Sequence, residues 1–161
     1  GLERTRGFRE LRLTAHLFTR GLPVPRPVAT AVTRHGVSYT AALITVRIPG
    51  ARTLADLLEQ GAADNGLLER VGATIRRFHD TGLDHVDLNA HNILFDADGQ
   101  GWVIDLDRCR KRLPETGWRS RNLARLERSL LKLRGRRPVD TVRAEFASLR
   151  KAYDARWAKG Y

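Results

Sequence analysis

The feature that most constrains this chain is a hairpin signal framed by acidic and amide side chains. The segment from His85 to Asp107 reads HVDLNAHNILFDADGQGWVIDLD, in which the turn signal DADG separates two short apolar runs, NILF and GWVI. Apolar runs joined by an Asp-Gly turn predict two antiparallel strands. Because a hairpin returns its outer ends to one edge, we expect Asp87 and Asn92, at its start, to lie close to Asp105 at its end.

These three side chains carry the oxygen atoms that phosphoryl transfer requires. The amide oxygen of Asn92 and the carboxylate of Asp105 are hard ligands, which suit Mg²⁺ rather than zinc or copper. Asp87 lies just upstream and can accept a proton from an attacking hydroxyl. Phosphoryl transfer needs metal ions on the phosphates and a carboxylate that orients the nucleophile. A single Asp-Gly pair would indicate only a turn, so the interpretation depends on several polar positions in one register.

The spacing of His85, Asp87 and Asn92 resembles the protein-kinase catalytic loop H-x-D-x-x-x-x-N, and Asp105 takes the place of the Asp of D-F-G. Two departures are informative. Asn89 stands where protein kinases usually carry Lys, and L-D-R follows the second strand instead of F-G. Both departures resemble the lipopolysaccharide-kinase family of the protein-kinase-like superfamily.

Four segments carry that resemblance most clearly; the similarity covers nearly the whole chain, and the catalytic stretch is its most specific part. The four segments are GLPVPRPVA, IPGARTLADLL, HVDLNAHNIL and VIDLDR, at residues 21–29, 48–58, 85–94 and 103–108. The resemblance implies an α+β, protein-kinase-like fold, with a mostly helical large lobe and an incomplete N-terminal small lobe. It also implies that ATP and Mg²⁺ are used to phosphorylate a hydroxyl of 3-deoxy-D-manno-octulosonic acid (Kdo) on a lipid A precursor in lipopolysaccharide core biosynthesis.

The resemblance assigns roles within the catalytic stretch. Asp87 would be the base or the group that orients the nucleophile, and Asn89 would touch the acceptor or the transferred phosphate. Asn92 and Asp105 would hold Mg²⁺. His85 would brace the loop as a scaffold residue rather than carry a proton.

The resemblance also implies a nucleotide-binding set. Glu10, with Glu3 as the second candidate, would pair with a strand lysine above the ATP phosphates. An exposed glutamate that forms pairs along the helix is the alternative. The backbone of Ile48 and Gly50 would meet adenine as the hinge, although a Pro-Gly pair by itself indicates only a turn.

Local signals predict the order of the elements, and the resemblance implies a division into a partial small lobe at residues 1–48 and a helical large lobe at residues 49–161. Apolar periodicity and capping signals place the helices, and β-rich runs place the strands. The predicted elements are a helix at 3–20 with Phe8, Leu11, Ala15 and Phe18 on its apolar face, strands at 28–32 and 39–48, a helix from Thr53 to Gln60 with a capping box, a helix at 67–80 striped by Leu68, Val71, Ile75 and Phe78, a helix from Ser120 with Leu123, Leu126, Leu130 and Leu133, and a last helix with Val142, Phe146, Leu149 and Tyr153.

Two kinase elements do not occur in the sequence. No G-x-G-x-x-G precedes the first helix, and no lysine occurs before Lys111. The chain begins with Gly1 and contains no Met. We therefore expect a fragment or processed product that lacks the front of the small lobe and binds ATP poorly by itself.

The length and the single cysteine suggest a cytosolic globular chain. At 161 residues, the chain has the length of one domain. Cys109 is the one cysteine, which excludes an internal disulfide framework and fits a reducing compartment. No apolar run approaches the ~20 residues that a membrane span requires.

The basic charge is concentrated in the last third of the chain. Residues 108–161 contain 17 Lys and Arg against 5 Asp and Glu, whereas residues 1–107 contain 12 against 13. An anionic membrane surface, a polyanionic substrate and nucleic acid would all suit such a segment. Because no groove-reading motif accompanies it, we expect no nucleic-acid partner. We expect peripheral attachment to the cytoplasmic face of the bacterial inner membrane.

Other interpretations stay open at this stage. An aminoglycoside-type phosphotransferase could share the same acidic residues, but a cationic substrate calls for an acidic pocket. A catalytically silent homologue is a further alternative. The six-residue spacing of His79, His85 and His91 places them on no common helix face, which disfavours a zinc site. Asp107 is either a further metal contact or a partner for Arg108.

Overall fold

The computed structural model describes residues 5–155, which form five helices and seven short strands. The helices are α1 (Arg6–Thr19), α2 (Leu54–Glu59), α3 (Asn65–Asp80), α4 (Thr116–Lys132) and α5 (Val139–Ala155), and the strands are β1 (Pro27–His35), β2 (Ser38–Thr45), β3 (Arg52–Thr53), β4 (Leu83–Asp84), β5 (Ile93–Phe95), β6 (Gly101–Val103) and β7 (Arg110–Lys111). This mixture of helices and small antiparallel sheets is compatible with the predicted α+β class. In the described range, no helix combines the length and the apolar character needed to cross a membrane.

The central hairpin forms as its sequence predicts. Strands β5 and β6 are antiparallel, with Ile93 opposite Val103, and β3 adds to the other side of β5. Asp96 closes the turn, because its Oδ1 accepts hydrogen bonds from two backbone N–H groups and its Oδ2 accepts one from the indole of Trp102 at 2.9 Å. Gly99 takes a positive φ of 78°, which a residue with a side chain would adopt only at a cost. The turn therefore fixes the register of both strands.

The helices below the hairpin follow their local signals. Thr53 and Asp56 form the predicted capping box at the start of α2. The predicted stripe of α3 is confirmed, since Leu68, Val71, Ile75 and Phe78 are all buried. Buried residues of α4 and α5 complete the larger core, and they include the predicted Leu123, Leu126, Leu130, Val142, Leu149 and Tyr153.

Two sequence predictions about the helices were wrong. Helix α4 begins at Thr116 rather than Ser120. On α1 the buried residues are Gly7, Thr14 and Leu17, whereas Phe18 is 41% exposed. A Cβ atom at residue 7 would lie 2.6 Å from the Oγ1 of Thr30. The face of α1 is therefore set by close approach to the β1–β2 hairpin, which apolar periodicity does not register.

Both strands predicted in the N-terminal part of the chain form, but their boundaries differ from the predicted ones. They were expected at 28–32 and 39–48, but β1 extends to His35 and β2 ends at Thr45. Their pairing closes at His35 opposite Ser38, around a turn with Gly36 at a φ of +62°.

A second, smaller core joins α1 to the region behind the hairpin. Its buried residues are Leu17, Leu22, Val24, Phe78, Leu83, Val103, Leu106 and Cys109. The backbone contributes as well, because the N–H of Val103 donates to the carbonyl of Pro23 at 3.0 Å. This cluster holds α1 against the residues that follow Asp105. The division into lobes at residue 48 stays a prediction.

Candidate active site

Asn92 links the loop that carries Asp87 to the strand end that precedes Asp105. Its side-chain Nδ2 donates to the backbone carbonyl of Asp87 at 3.0 Å, across the tight loop that precedes β5. The backbone carbonyl of Asn92 accepts a hydrogen bond from the N–H of Ile104, also at 3.0 Å, and Ile104 directly precedes Asp105. These two bonds bring Asp87, Asn92 and Asp105 to one end of the hairpin.

The three side chains differ in exposure in a way that suits a polar ligand. Asp87 and Asp105 are exposed, whereas Asn92 is 8% exposed. Because Nδ2 of Asn92 is engaged within the loop, its Oδ1 is the atom left to face a metal. One amide oxygen and one carboxylate make a small donor set that suits Mg²⁺, which keeps water and phosphate oxygens as its other ligands. Within residues 5–155, no group of three or more His, Cys, Asp or Glu side chains is arranged to hold a metal.

Asp105 adopts an unusual backbone conformation, with a φ of 58°. Residues with a Cβ rarely enter this left-handed region, although Asp tolerates it better than most. Arg108 follows with a φ of 62°. Such conformations persist only where the surrounding structure enforces them, and they cluster at functional sites. Here Leu106 and Cys109 anchor the strained segment, because both are buried in the smaller core.

His85 braces the loop from beneath. It is 2% exposed, and its Nε2 donates to the carbonyl of Ile104 at 2.9 Å. Burial lowers the pKa of His85, and the nearby charges of Asp105 and Asp87 only partly oppose this. A neutral imidazole with one nitrogen engaged by a carbonyl agrees with the scaffold role expected for it. His85 thereby ties the start of the loop to the strand end before Asp105.

Asn89 is used within the loop itself. Its Nδ2 donates to the carbonyl of Asp87 at 3.1 Å, and its Oδ1 accepts from the N–H of His91 at 2.9 Å. Both ends of this amide shape the turn between the predicted base and the predicted metal ligand. Its predicted contact with the acceptor or phosphate stays a prediction.

A network around Asn122 on α4 supports the loop, and the sequence interpretation missed it. Asn122 is 3% exposed; its Oδ1 accepts from the backbone N–H of His85 at 3.0 Å, and its Nδ2 donates to Asp84 at 2.8 Å. Arg112 completes the network through a 2.6 Å bond to the same aspartate. One signal could have found Asn122, since it lies four residues after Trp118 and four before Leu126 on an otherwise apolar stripe.

Helix α1 contributes Glu10 to the part of the site around Asp105. Burial raises the pKa of Glu10, and the neighbouring charge of Asp105 raises it further, while Arg6 opposes both. The predicted phosphate-side glutamate therefore interacts electrostatically with the predicted metal ligand Asp105, and its pairing with a strand lysine stays a prediction. Asp107 pairs with Arg6 on the same helix, rather than with Arg108. The second candidate, Glu3, lies outside the described residues.

The predicted adenine-side residues lie at the opposite end of the hairpin. Gly50 has a φ of +65°, and a Cβ built there would be 3.4 Å from the Cβ of Ala97 in the β5–β6 turn. Ile48 is half-buried, and its carbonyl accepts from the N–H of Ala51 at 3.4 Å. Three residues of extended strand, ~10 Å, separate this turn from the end that holds Asp105. Nucleotide contact by Ile48 and Gly50 stays a prediction.

The other two histidines at six-residue spacing, His79 and His91, do not join His85 in one cluster. The ring nitrogens of His79 lie 2.8 Å from the hydroxyl of Tyr153 and 3.3 Å from Oδ1 of Asn122, inside the core. His91 is exposed.

A family model described as the lipopolysaccharide kinase (Kdo/WaaP) family matches residues 1–153. The chain belongs to this family. Among curated members similar to it, one from Xanthomonas euvesicatoria pv. vesicatoria (strain 85-10) is 53% identical over 161 residues, which is 100% of this chain. Those from Stenotrophomonas maltophilia (strain K279a) and Xylella fastidiosa (strain 9a5c) are each 52% identical over 99% of it. All three are named 3-deoxy-D-manno-octulosonic acid kinase. The chain spans 64% of the length of each of these relatives.

Proposed function

We propose that this member of the lipopolysaccharide kinase family forms part of a 3-deoxy-D-manno-octulosonic acid kinase. The enzyme would transfer the γ-phosphate of ATP to a Kdo hydroxyl on a lipid A precursor. The supporting observation is the pair of hydrogen bonds through which Asn92 joins the loop carrying Asp87 to the strand end before Asp105. Family membership and the names of the three relatives supply the substrate class.

The proposed roles follow from position and exposure. Asp87, exposed at the loop, accepts the proton of the acceptor hydroxyl as its oxygen bonds to the γ-phosphorus and ADP departs. Asn92 and Asp105 would hold Mg²⁺, which neutralises charge on the phosphates. Glu10 of α1 would pair with a strand lysine above the ATP phosphates. Ile48 and Gly50 would meet adenine at the far end of the hairpin.

The arrangement of these parts supports a protein-kinase-like fold, which we infer from the family together with the mixed helix and sheet architecture. In this proposal α1, β1 and β2 belong to the small lobe. The hairpin and α2 to α5 belong to the large lobe, with the nucleotide between them.

The test of the activity uses the full-length protein and radiolabelled ATP. Label should pass to a Kdo-bearing lipid A precursor, and it should pass neither to an aminoglycoside nor to a peptide. Transfer to the aminoglycoside with none to the Kdo acceptor would replace this proposal with the alternative phosphotransferase.

We also propose that the basic segment 108–161 attaches the protein to the cytoplasmic face of the bacterial inner membrane. The support is charge, because 17 of the 29 Lys and Arg residues lie in this third of the chain. Pelleting with anionic liposomes should fall steeply as salt rises, since screening shortens the reach of surface charge. Equal pelleting with neutral vesicles would contradict the proposal, and duplex DNA in the same assay tests nucleic acid as the partner.

A further inference from the structure

A basic groove borders the catalytic loop, and none of the roles proposed for the catalytic residues uses it, although its cations belong to the basic segment 108–161. It has a volume of about 760 Å³ and opens between α2 and the connection from α4 to α5. The groove is lined by four cationic residues, Lys132, Arg134, Arg136 and Arg137, and by two acidic ones, Asp56 and Glu59. His91 of the catalytic loop lines it as well.

Both walls of the groove are hydrogen-bonded to a single residue of the catalytic loop. Ala90 is fully buried; its N–H donates to the Oγ of Ser129 on α4 at 3.0 Å. Its carbonyl accepts from the N–H of Ala55 on α2, also at 3.0 Å. The next residue, His91, lines the groove, and the residue after that is the predicted metal ligand Asn92. Since adjacent Cα atoms are ~3.8 Å apart, His91 brings the groove close to the predicted metal ligand in the chain.

The charges of the groove favour an anionic occupant. Arg137 is paired with Glu145 at 2.5 Å, and the carboxylate of Asp56 is turned toward the cap of its own helix. By contrast, Lys132 and Arg136 are exposed and make no ion pair within residues 5–155. Cationic side chains around a concave surface raise the local concentration of anions and orient them.

We propose that this groove binds the oxyanion groups of the acceptor and thereby holds its reacting hydroxyl at Asp87. The inference deepens the proposed function and rests on it, because an octulosonic acid carries a carboxylate and a lipid A precursor carries phosphates. Either group provides the same chemistry, namely a negatively charged oxygen that accepts charge-assisted hydrogen bonds. The groove lies on the His91 side of the loop, so it is separate from the Asn92 and Asp105 oxygens that would take the metal.

The experiment reverses two groove charges in the full-length enzyme, in the double variant Lys132→Glu and Arg136→Glu. Both side chains are exposed, so the fold should tolerate the change. The KM for the phosphorylated Kdo acceptor should rise ~10-fold or more, while kcat and the KM for ATP stay within about twofold. The matched control reverses two exposed cations that lie outside the groove and outside segment 108–161, Arg26→Glu and Arg70→Glu, and should leave the acceptor KM within about twofold.

Two modified acceptors separate the sources of the oxyanion. If the phosphates occupy the groove, an acceptor without them should bind wild type and groove variant equally. If the carboxylate occupies it, its methyl ester should do the same. An unchanged acceptor KM, an equal rise in the control variant, or a rise in the KM for ATP would each overturn the assignment.

Direct titration of the acceptor without ATP distinguishes failure of the groove from failure of the proposed function. Tight binding to the wild type that weakens ~10-fold in the groove variant supports the groove even if no phosphoryl transfer occurs, and the absence of transfer would then refute the kinase proposal alone. If the wild type is active but the wild type and the groove variant bind the acceptor equally, the assignment of acceptor binding to the groove is refuted and the kinase proposal stands.

Discussion

At the residue scale, the site combines buried amides with exposed carboxylates, and each type suits its place. Asn92 and Asn122 are 8% and 3% exposed. A neutral amide can be buried once its hydrogen bonds are made, whereas a buried unpaired carboxylate would be far more costly. Asp87 and Asp105 stay exposed, where water solvates their charge until a substrate or cation arrives. The amides thus position the loop, and the carboxylates stay exposed for the chemistry proposed for them.

The role proposed for Asp87 predicts a selective loss of turnover. Asp87→Asn keeps the size of the side chain but removes the proton acceptor, so kcat of the full-length enzyme should fall ~10²-fold or more with little change in the KM for ATP. The measurement is radiolabel transfer from ATP. Asp98→Asn is the matched control, since Asp98 is an exposed residue of the hairpin turn. Turnover unaffected by Asp87→Asn would exclude this carboxylate as the base.

Cys109 should be unreactive in the folded protein although it lies four residues from Asp105. The thiol is 8% exposed, and burial raises its pKa to about 12. Because the thiolate is the reactive form, alkylation by iodoacetamide at pH 8 should be at least ~10²-fold slower in the folded protein than after unfolding in urea. Mass spectrometry of the modified protein measures both rates. Equal rates would show that the smaller core opens readily around Cys109.

At the element scale, the sequence predicts those elements whose determinants are local. The hairpin followed from its DADG turn, and α3 followed from a stripe at helical spacing. The buried face of α1 did not follow from local signals, because it depends on the contact of Gly7 with Thr30, a residue far along the chain. Asn122 was missed for a similar reason, since its partners Asp84 and His85 lie on other elements. The sequence predicts Asp87, Asn92 and Asp105 together because one motif contains all three, and their roles stay predictions.

The packing of α3 against α5 predicts opposite effects for two glycines of one helix. A Cβ at residue 72 would lie 2.1 Å from the carbonyl oxygen of Leu149, and backbone cannot move aside as a flexible side chain can. Gly72→Ala should therefore lower the free energy of unfolding by ~2–4 kcal/mol.

Gly66 supplies the control in the same helix. The nearest atom to a Cβ there is the Oδ1 of Asp64 at 3.5 Å, an ordinary contact. Gly66→Ala should leave stability unchanged or raise it by up to ~1 kcal/mol, because Ala is the better helix former. Urea unfolding followed by circular dichroism measures both variants. Equal effects would mean that α3 and α5 do not approach as closely as the structure has them.

At the scale of the whole molecule, one buried polar network connects the larger core to the catalytic loop. His79 on α3 contacts Tyr153 on α5 and Asn122 on α4. Asn122 in turn binds the backbone of His85, which braces the strand end before Asp105. The stability of the helical core and the geometry of the site therefore depend on the same uncharged imidazoles.

This dependence predicts acid sensitivity with a defined sign. Burial lowers the pKa of His79 to about 3, from an ordinary value of 6.5. Between these two values the unfolded chain binds a proton that the folded chain does not, so the free energy of unfolding should fall as the pH falls from 6.5 towards 3. The contribution of His79 is ~1.4 kcal/mol per pH unit. His85, whose pKa is also lowered by burial, acts in the same direction.

The test compares His79→Gln with His35→Gln, a change at an exposed histidine of the β1–β2 turn. His79→Gln removes the titrating group, so its unfolding free energy should be lower at pH 7 but should decline less steeply between pH 6 and pH 4.5. The His35 variant should follow the wild-type curve, because His35 is exposed and lies outside the buried network of His79, Asn122 and Tyr153. Urea unfolding at intervals of half a pH unit gives the slopes. Parallel curves for the His79 variant and the wild type would mean that acid acts through the carboxylates instead, and that the imidazole network does not set the acid limit of the fold.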